Sequence, residues 1–284
     1  MLSFICSYFN FGESVKIREN YIKFRKYFPH PITTVEVALS DQKFFIDDSI
    51  KIRANPSNIL WQKERCLNIA IESLPDSVDS IAWIDPDIKF LNRNFKQDTE
   101  KALEKYKVVH MFDRCIEEPK INAVNNNISL GYKLIHDMDV KFPHIGYAWA
   151  FRREVLIEDK LYDLDPVGNS DVLQLLTWRG VWNHKTILDL QLPYRQEFLS
   201  WAWDSYDSVQ SDIGYSPGIV KHFYHGHYGH RMYISRNNLL SDTSFVPSKH
   251  LRIDTNNLYK IINNDKLQKL IKDYFKHRTK YETV

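Results

Sequence analysis

The stretch "SIAWIDPDIKF", residues 80–90, decides how the rest of the chain is read. Ile81, Trp83 and Ile84 read as a buried strand, and two carboxylates, Asp85 and Asp87, follow at its end on either side of Pro86. Two like charges desolvated at a strand end are costly unless something cationic compensates them. A hard divalent cation does so with carboxylate oxygen as its natural ligand. The pattern Asp-x-Asp recurs at Asp137/Asp139 and Asp163/Asp165, but no apolar strand leads into either, and both read as solvated turns.

Outward from this strand the pattern alternates. "LSFICSYF" reads as a first strand, "ESVKIRENYIKFRKYF" as a helix with Val15, Ile22, Phe24 and Phe28 apolar, and "ITTVEVAL" as a second strand ending near Glu36. "KFFIDD" reads as a short strand or hairpin. "NILWQKERCLNIAIESL" reads as a long helix with Ile59, Leu60, Leu67, Ile69, Ala70 and Leu74 on its apolar face, stopped by Pro75. After Asp87 come a helix, "FKQDTEKALEKY", and a strand, "KVVHMF". This alternation predicts an α/β fold with a mostly parallel sheet flanked by helices. Ligands of such sheets bind beyond the carboxyl ends of the strands, so Tyr8, Phe9, Asn10, Glu36, Asp85 and Asp87 are expected to converge on one crevice.

In the second half "HIGYAWAFRREV" reads as a strand running into a helix, "NSDVLQLLTW" as a helix capped by Asn169 or Ser170, and "RQEFLSWAWDSYDSVQ" as a helix. "GIVKHFYHGHYGHRMYISR" goes from strand to helix. From about Leu251 the chain looks like a helical appendix, with Leu258, Ile261, Ile262, Leu267, Leu270, Ile271 and Phe275 in phase. The expected division is a catalytic domain over residues 1–240 and a helical extension over 241–284 packed on or beside it.

The chain has 284 residues and a net charge of +2, which argues against a strong nucleic-acid field. Its three cysteines, Cys6, Cys66 and Cys115, form no disulfide framework and suit a reducing compartment. The apolar N-terminal run lacks the basic lead and length of a signal peptide, and no run approaches a membrane span, so a cytoplasmic protein is expected. The segment "KHFYHGHYGH" carries His222, His225, His227 and His230, flanked by Lys221 and Arg231. Imidazole beside two aspartates suits Mn²⁺, the cations could pair with phosphate oxygens, and the histidines alone could make a zinc site. Trp149, Trp201 and Trp203 could stack on sugar faces or simply pack.

The ordered set "WQKERCLN", "IAWIDPDIKF", "GYAWAFRRE", "VGNSDVLQL" and "VKHFYHG" resembles the GT-A fold nucleotide-diphospho-sugar transferases, with a second half similar to the β-1,4-galactosyltransferase-like catalytic region. The resemblance covers roughly residues 1–240. It implies a metal-dependent transfer of a sugar from a nucleotide-diphosphate donor, UDP being the commonest, to an acceptor hydroxyl. Asp87 would bind Mn²⁺ or Mg²⁺, Asp85 the ribose or the metal, and His222 or His225 would complete the metal shell. Asn10, Glu36, Lys63 and Asn68 would line the nucleoside site. Asp171 would be the base of an inverting reaction, although this helix start, Gly168-Asn169-Ser170-Asp171, lacks the cluster of acids those enzymes carry there. The competing readings are a nucleotidyltransferase of related fold, which would want a Gly-rich basic loop where "SYFNFGES" stands; a zinc hydrolase built on the histidines; and a non-catalytic binding module.

Overall fold

Leu2–Phe9 forms β1, a strand covered on both faces. In the computed structural model Leu2, Phe4, Cys6 and Tyr8 join one hydrophobic cluster and Ile5 the other, the alternation that a pleated strand dictates. The structure describes residues 1–118, 127–140, 144–156, 158, 160–224 and 235–282. After β1 come α1 (Val15–Tyr27), β2 (Thr33–Leu39), β3 (Ser49–Ala54), α2 (Lys63–Glu72), β4 (Ser80–Ile84), β5 (Ile88–Phe90), α3 (Phe95–Lys105) and β6 (Val108–His110). The chain continues through β7 (Arg114–Glu117), α4 (Leu130–Ile135), β8 (Ala148–Arg152), α5 (Ser170–Trp178), α6 (Lys185–Leu188), α7 (Leu192–Val209), β9 (Ile213–Tyr215) and β10 (Ile219–His222). It ends with α8 (Ser235–Ser241), α9 (Pro247–His250), β11 (Leu251–Ile253), β12 (Tyr259–Ile261) and α10 (Asp265–Glu282).

Among the described residues the large sheet has seven strands in the order β3-β2-β1-β4-β8-β6-β9. Neighbours are parallel except around β8, which runs antiparallel to both β4 and β6. The mixed α/β fold with a mostly parallel sheet is therefore as expected. One face is covered by α2 through Cys66, Leu67, Ala70 and Ile71, together with Trp83, Trp149 and Trp178. The other is covered by α1 and α3 through Tyr21, Phe24, Phe95 and Leu103. A second sheet, β5-β10-β7, lies against this face through Ile88, Val220 and Cys115.

Several boundaries differ from the sequence reading. "KFFIDD" forms no strand; the edge strand is "SIKIRA", residues 49–54, which buries Ile52 and Ala54 on one face and puts Ser49, Lys51 and Arg53 on the other. α2 starts at Lys63 rather than near Asn58. Asn55 and Asn58 cap each other around a single 3₁₀ turn, Pro56–Asn58, and the chain crosses to α2 from there. On α1, Val15 and Ile22 are exposed while Asn20, Tyr21 and Phe24 are buried.

The largest correction concerns the C-terminus. Leu258 and Ile261 flank and form a strand, not a helix face, because β11 and β12 pair as an antiparallel hairpin before α10 begins. The hairpin is tied to the lead into α2. The Gln62 and Asn58 side-chain amides donate to the Tyr259 carbonyl at 2.8 and 3.0 Å, and Arg65 Nε donates to the Asn257 carbonyl at 2.9 Å. Leu258 sits in the central cluster, and Leu251, Tyr259, Ile261, Leu267 and Ile271 share a third cluster with Leu60, Tyr162, Leu173 and Phe198. A boundary at residue 240 therefore runs through one core.

Candidate functional site

The backbone sets the site. Asp85 leaves the end of β4 with its N–H donating to the Tyr147 carbonyl at 2.7 Å, just ahead of the antiparallel β8. Three residues on, β5 pairs with β10 in the register Ile88↔His222, and Phe223 N–H donates to the Asp87 carbonyl at 2.8 Å. The two strand ends thereby bring His222 Nε2 within 3.4 Å of Asp87 Oδ2. The Tyr147 ring stacks on His222 at 4.5 Å between centroids, and its hydroxyl donates to Glu117 Oε1 at 3.2 Å. Tyr147 does this at φ 82°, left-handed backbone that costs a non-glycine residue on the order of 1–3 kcal/mol.

Asp85 is held differently. Lys63, the first residue of α2, places Nζ 2.6 Å from Asp85 Oδ1. Burial pushes the Asp85 carboxyl above its ordinary value; Lys63 opposes this, and Asp87 and Asp171 add to it. Burial also works against the Lys63 charge, but Asp85, Asp171 and Glu64 override it and hold the ammonium charged. Asp171, in the first turn of α5, thus acts electrostatically on the same crevice. Its Oδ1 accepts from Val172 N–H at 2.8 Å. Gly168 lies at φ 90°, and a Cβ there would stand 2.7 Å from the Trp61 ring, so only glycine lets the lead into α5 pass over Trp61.

Two features were missed from the sequence. Glu64 is buried, and burial pushes its carboxyl up to about 8, with Lys63 opposing and Asp171 reinforcing the shift. An acid in the first turn of a helix reads as a complement to the helix dipole, which hid it. The second is a closed circuit of half-buried rings at the carboxyl end of β1. Phe9–Phe11, Phe11–Phe275, Phe275–Trp61 and Trp61–Phe9 have centroids 5.4, 5.7, 6.5 and 5.5 Å apart. Trp61 lies two residues before Lys63, so this circuit borders the Lys63–Asp85 pair.

Other expected site residues are occupied elsewhere. Glu36 is mid-strand and buried; its carboxylate accepts from Phe45 N–H, Ile46 N–H and Ser49 hydroxyl at 2.6, 3.1 and 2.9 Å, which shapes the loop before β3. Asn68 is fully buried and bonded to Leu161 and Asp163. Asn10 bridges to Ser14 and so braces the cap of α1. Lys221 pairs with Glu118 at 2.6 Å. Trp149 is fully buried and stacks on His110 at 3.9 Å, which removes it from any acceptor surface. Trp201 packs on Tyr162, while Trp203 is 54% exposed and pairs with Trp182. Asp137 and Asp139 are exposed as expected, but Asp163 is half-buried, Asp165 is buried, and both are bonded: Asp163 accepts from Asn68 and Tyr259, and Asp165 from the Val167 and Asn169 N–H groups. His225 and Arg231 lie outside the described residues.

The donor set fits a divalent cation. A carboxylate oxygen and an imidazole nitrogen 3.4 Å apart are close to the separation of neighbouring ligands on one ion with bonds of about 2.1 Å. Asp85 stands one turn away with its charge already shared with Lys63.

No family model and no curated protein matches the chain. Among solved structures it is similar to glucosyl-3-phosphoglycerate synthase from Mycobacterium tuberculosis, in complex with Mn²⁺, uridine diphosphate and phosphoglyceric acid. That pair shares 12% identity over 89% of this chain and 81% of the other, at TM-score 0.37. It is also similar to galactosyltransferase LgtC in complex with donor and acceptor sugar analogs, at 10% identity over 87% of this chain and 97% of the other, TM-score 0.31. At these values no residue role passes from either protein to this chain. Among the described residues no helix is long and apolar enough to cross a membrane.

Proposed function

We propose that the protein is a glycosyltransferase that moves a sugar from a nucleotide-diphosphate donor, UDP in the first instance, to an acceptor hydroxyl. The observation that carries this reading is the Asp87–His222 pair, assembled at 3.4 Å by two strand ends beside the salt-bridged Asp85 and Lys63. Asp87 and His222 would hold Mn²⁺ or Mg²⁺, which supplies charge neutralisation for a diphosphate leaving group. Lys63, kept cationic by its acidic neighbours, adds positive charge at the same place and orients Asp85 toward the donor. The ring circuit of Phe9, Phe11, Trp61 and Phe275 offers apolar faces for the nucleobase. Asp171, half-buried at the start of α5, is the base for the acceptor hydroxyl, which makes the transfer inverting.

The test is thermal shift and nucleotide release with a panel of nucleotide sugars, in Mn²⁺ and in EDTA. Stabilisation by a nucleotide that needs the metal and disappears in Asp87→Asn is the expected result. No nucleotide-dependent stabilisation under any metal overturns the reading, and equal UDP binding by Asp87→Asn overturns the ligand assignment.

A further inference from the structure

A second group of donor atoms lies next to Tyr147 and has no part in the proposed transfer. Cys115, Glu117 and His144 each place one ligand atom within 4.8 Å of the other two. Cys115 and Glu117 occupy alternate positions of β7, so their side chains leave the same face of the strand. The parallel register Val220↔Cys115 and His222↔Glu117 fixes that face against β10. His144 arrives from a separate segment, held by a bridge to Ser129 and by its N–H donating to the Ile128 carbonyl at 3.1 Å. Its ring stacks on Tyr147 at 4.1 Å. Cys115 is a free thiol with no exposed surface.

We propose that Cys115, Glu117 and His144 form a zinc site that ties β7 to the segment carrying Tyr147, separate from the Asp87–His222 pair. The donor chemistry selects the metal. Sulfur, imidazole nitrogen and carboxylate oxygen together suit Zn²⁺, whereas Mn²⁺ and Mg²⁺ favour oxygen-rich sets. The charges also balance: one thiolate and one carboxylate cancel Zn²⁺ in a place where an uncompensated charge would be costly. The Tyr147 hydroxyl, donating to Glu117 Oε1 at 3.2 Å, would orient that carboxylate as a supporting group does in zinc sites. Tetrahedral ligands with bonds of about 2.0–2.3 Å stand roughly 3.5 Å apart, so donors within 4.8 Å of one another need to close by about 1.3 Å at most. Binding releases the Cys115 proton, and a water completes the fourth position. The site also gives a reason for the strained Tyr147 backbone: a metal crosslink holds the segment in which the ring covers His222.

The experiment uses the full-length protein stripped of metal and titrated with Zn²⁺ against a chromophoric chelator, with Co²⁺ as a spectroscopic probe. One zinc per chain with a raised Tm is expected, together with a thiolate-to-cobalt charge-transfer band. Cys115→Ser and His144→Gln should each weaken zinc binding by more than the ten- to hundred-fold that loss of a supporting group costs. Asp87→Asn should retain it. Absence of a stoichiometric zinc, or unchanged zinc binding by Cys115→Ser, overturns the proposal. Should Cys115→Ser fail to fold, the wild-type cobalt spectrum decides: a bound Co²⁺ without a thiolate band removes Cys115 and the site with it. A Cys6→Ser/Cys66→Ala chain must keep that band, and its loss there reassigns the thiolate. Each outcome is independent of nucleotide binding, so it stands or falls apart from the transferase reading.

Discussion

Asp85 and Asp87 stand two positions apart, yet one is neutralised by Lys63 at 2.6 Å and the other faces His222 at 3.4 Å. Under the proposed transfer, that asymmetry would give each a separate task, and Asp171 a third. Asp171→Asn is expected to keep donor binding and slow transfer by on the order of 10²–10⁴-fold, the usual worth of a positioned base, as measured by sugar release from the donor. Unchanged turnover would remove it from that role. Glu64 makes a different prediction, about pH. Its folded-state carboxyl lies near 8, above the unfolded value of 4.5. The contribution of a raised group is fully present below the unfolded value and is lost as pH rises through the folded one. Wild type should therefore lose stability between about pH 5 and 8 relative to Glu64→Gln, by on the order of 1–3 kcal/mol. Denaturant melts at pH 5 and 8 check this; a difference that does not grow with pH sinks it. At this scale the sequence announced the Asp85–Asp87 pair, because an apolar strand leads into it. It could not announce that Glu36 and Asn68 have their hydrogen-bonding capacity taken by Phe45, Ile46, Ser49, Leu161 and Asp163, since those partners are fixed only by tertiary contact.

Elements that bury a continuous apolar stripe were legible, and elements defined by a neighbour were not. β1, β4, α3 and α5 follow from their own patterns. The antiparallel sense of β8 does not, because its residues Ala148–Phe151 are buried on both faces whichever way it runs. The hairpin β11–β12 is hidden in the sequence because Leu258, Ile261 and Ile262 also fit a helical period, while the strand β12 pairs with, β11, is identified only by the pairing itself. α10 reads as a helix from its own pattern, whereas its delivery of Phe275 to the ring circuit with Phe11 and Trp61 is set by tertiary contact. If that circuit receives the nucleobase, Phe275→Ala should weaken UDP binding by about ten-fold or more, since base–aromatic stacking is worth roughly 1–3 kcal/mol. Mn²⁺ affinity in the absence of nucleotide should not change. Calorimetry with UDP and with Mn²⁺ alone separates the two. Equal UDP affinity in wild type and variant assigns the rings to packing alone.

At the scale of the whole molecule, the three hydrophobic clusters found among the described residues share boundaries. The first cluster contains sheet residues such as Ile5 and Val35 and also Leu258 from the hairpin; the third joins Leu60 with α5, α7, the hairpin and α10. Buried polar bonds cross the same seam, from Asn58, Gln62 and Arg65 to Asn257 and Tyr259. A detached tail would make none of these, and its loss would leave the sheet intact. The observed packing predicts the opposite. Leu258 has no exposed surface, so Leu258→Ala should cost about 2–5 kcal/mol, the range for a buried leucine that leaves a cavity. The loss should fall on the whole chain: the far-ultraviolet signal of the sheet and helices and the fluorescence of the buried Trp83, Trp149 and Trp178 should shift together to lower denaturant with one midpoint. Had the C-terminal residues formed their own unit, the variant would melt in two steps, with the tryptophan transition left where it stands in wild type. A single shifted transition, by contrast, means that the crevice lined by Asp85, Lys63 and Phe275 rests on one cooperative core, and that the residues after 240 are part of what holds the site together.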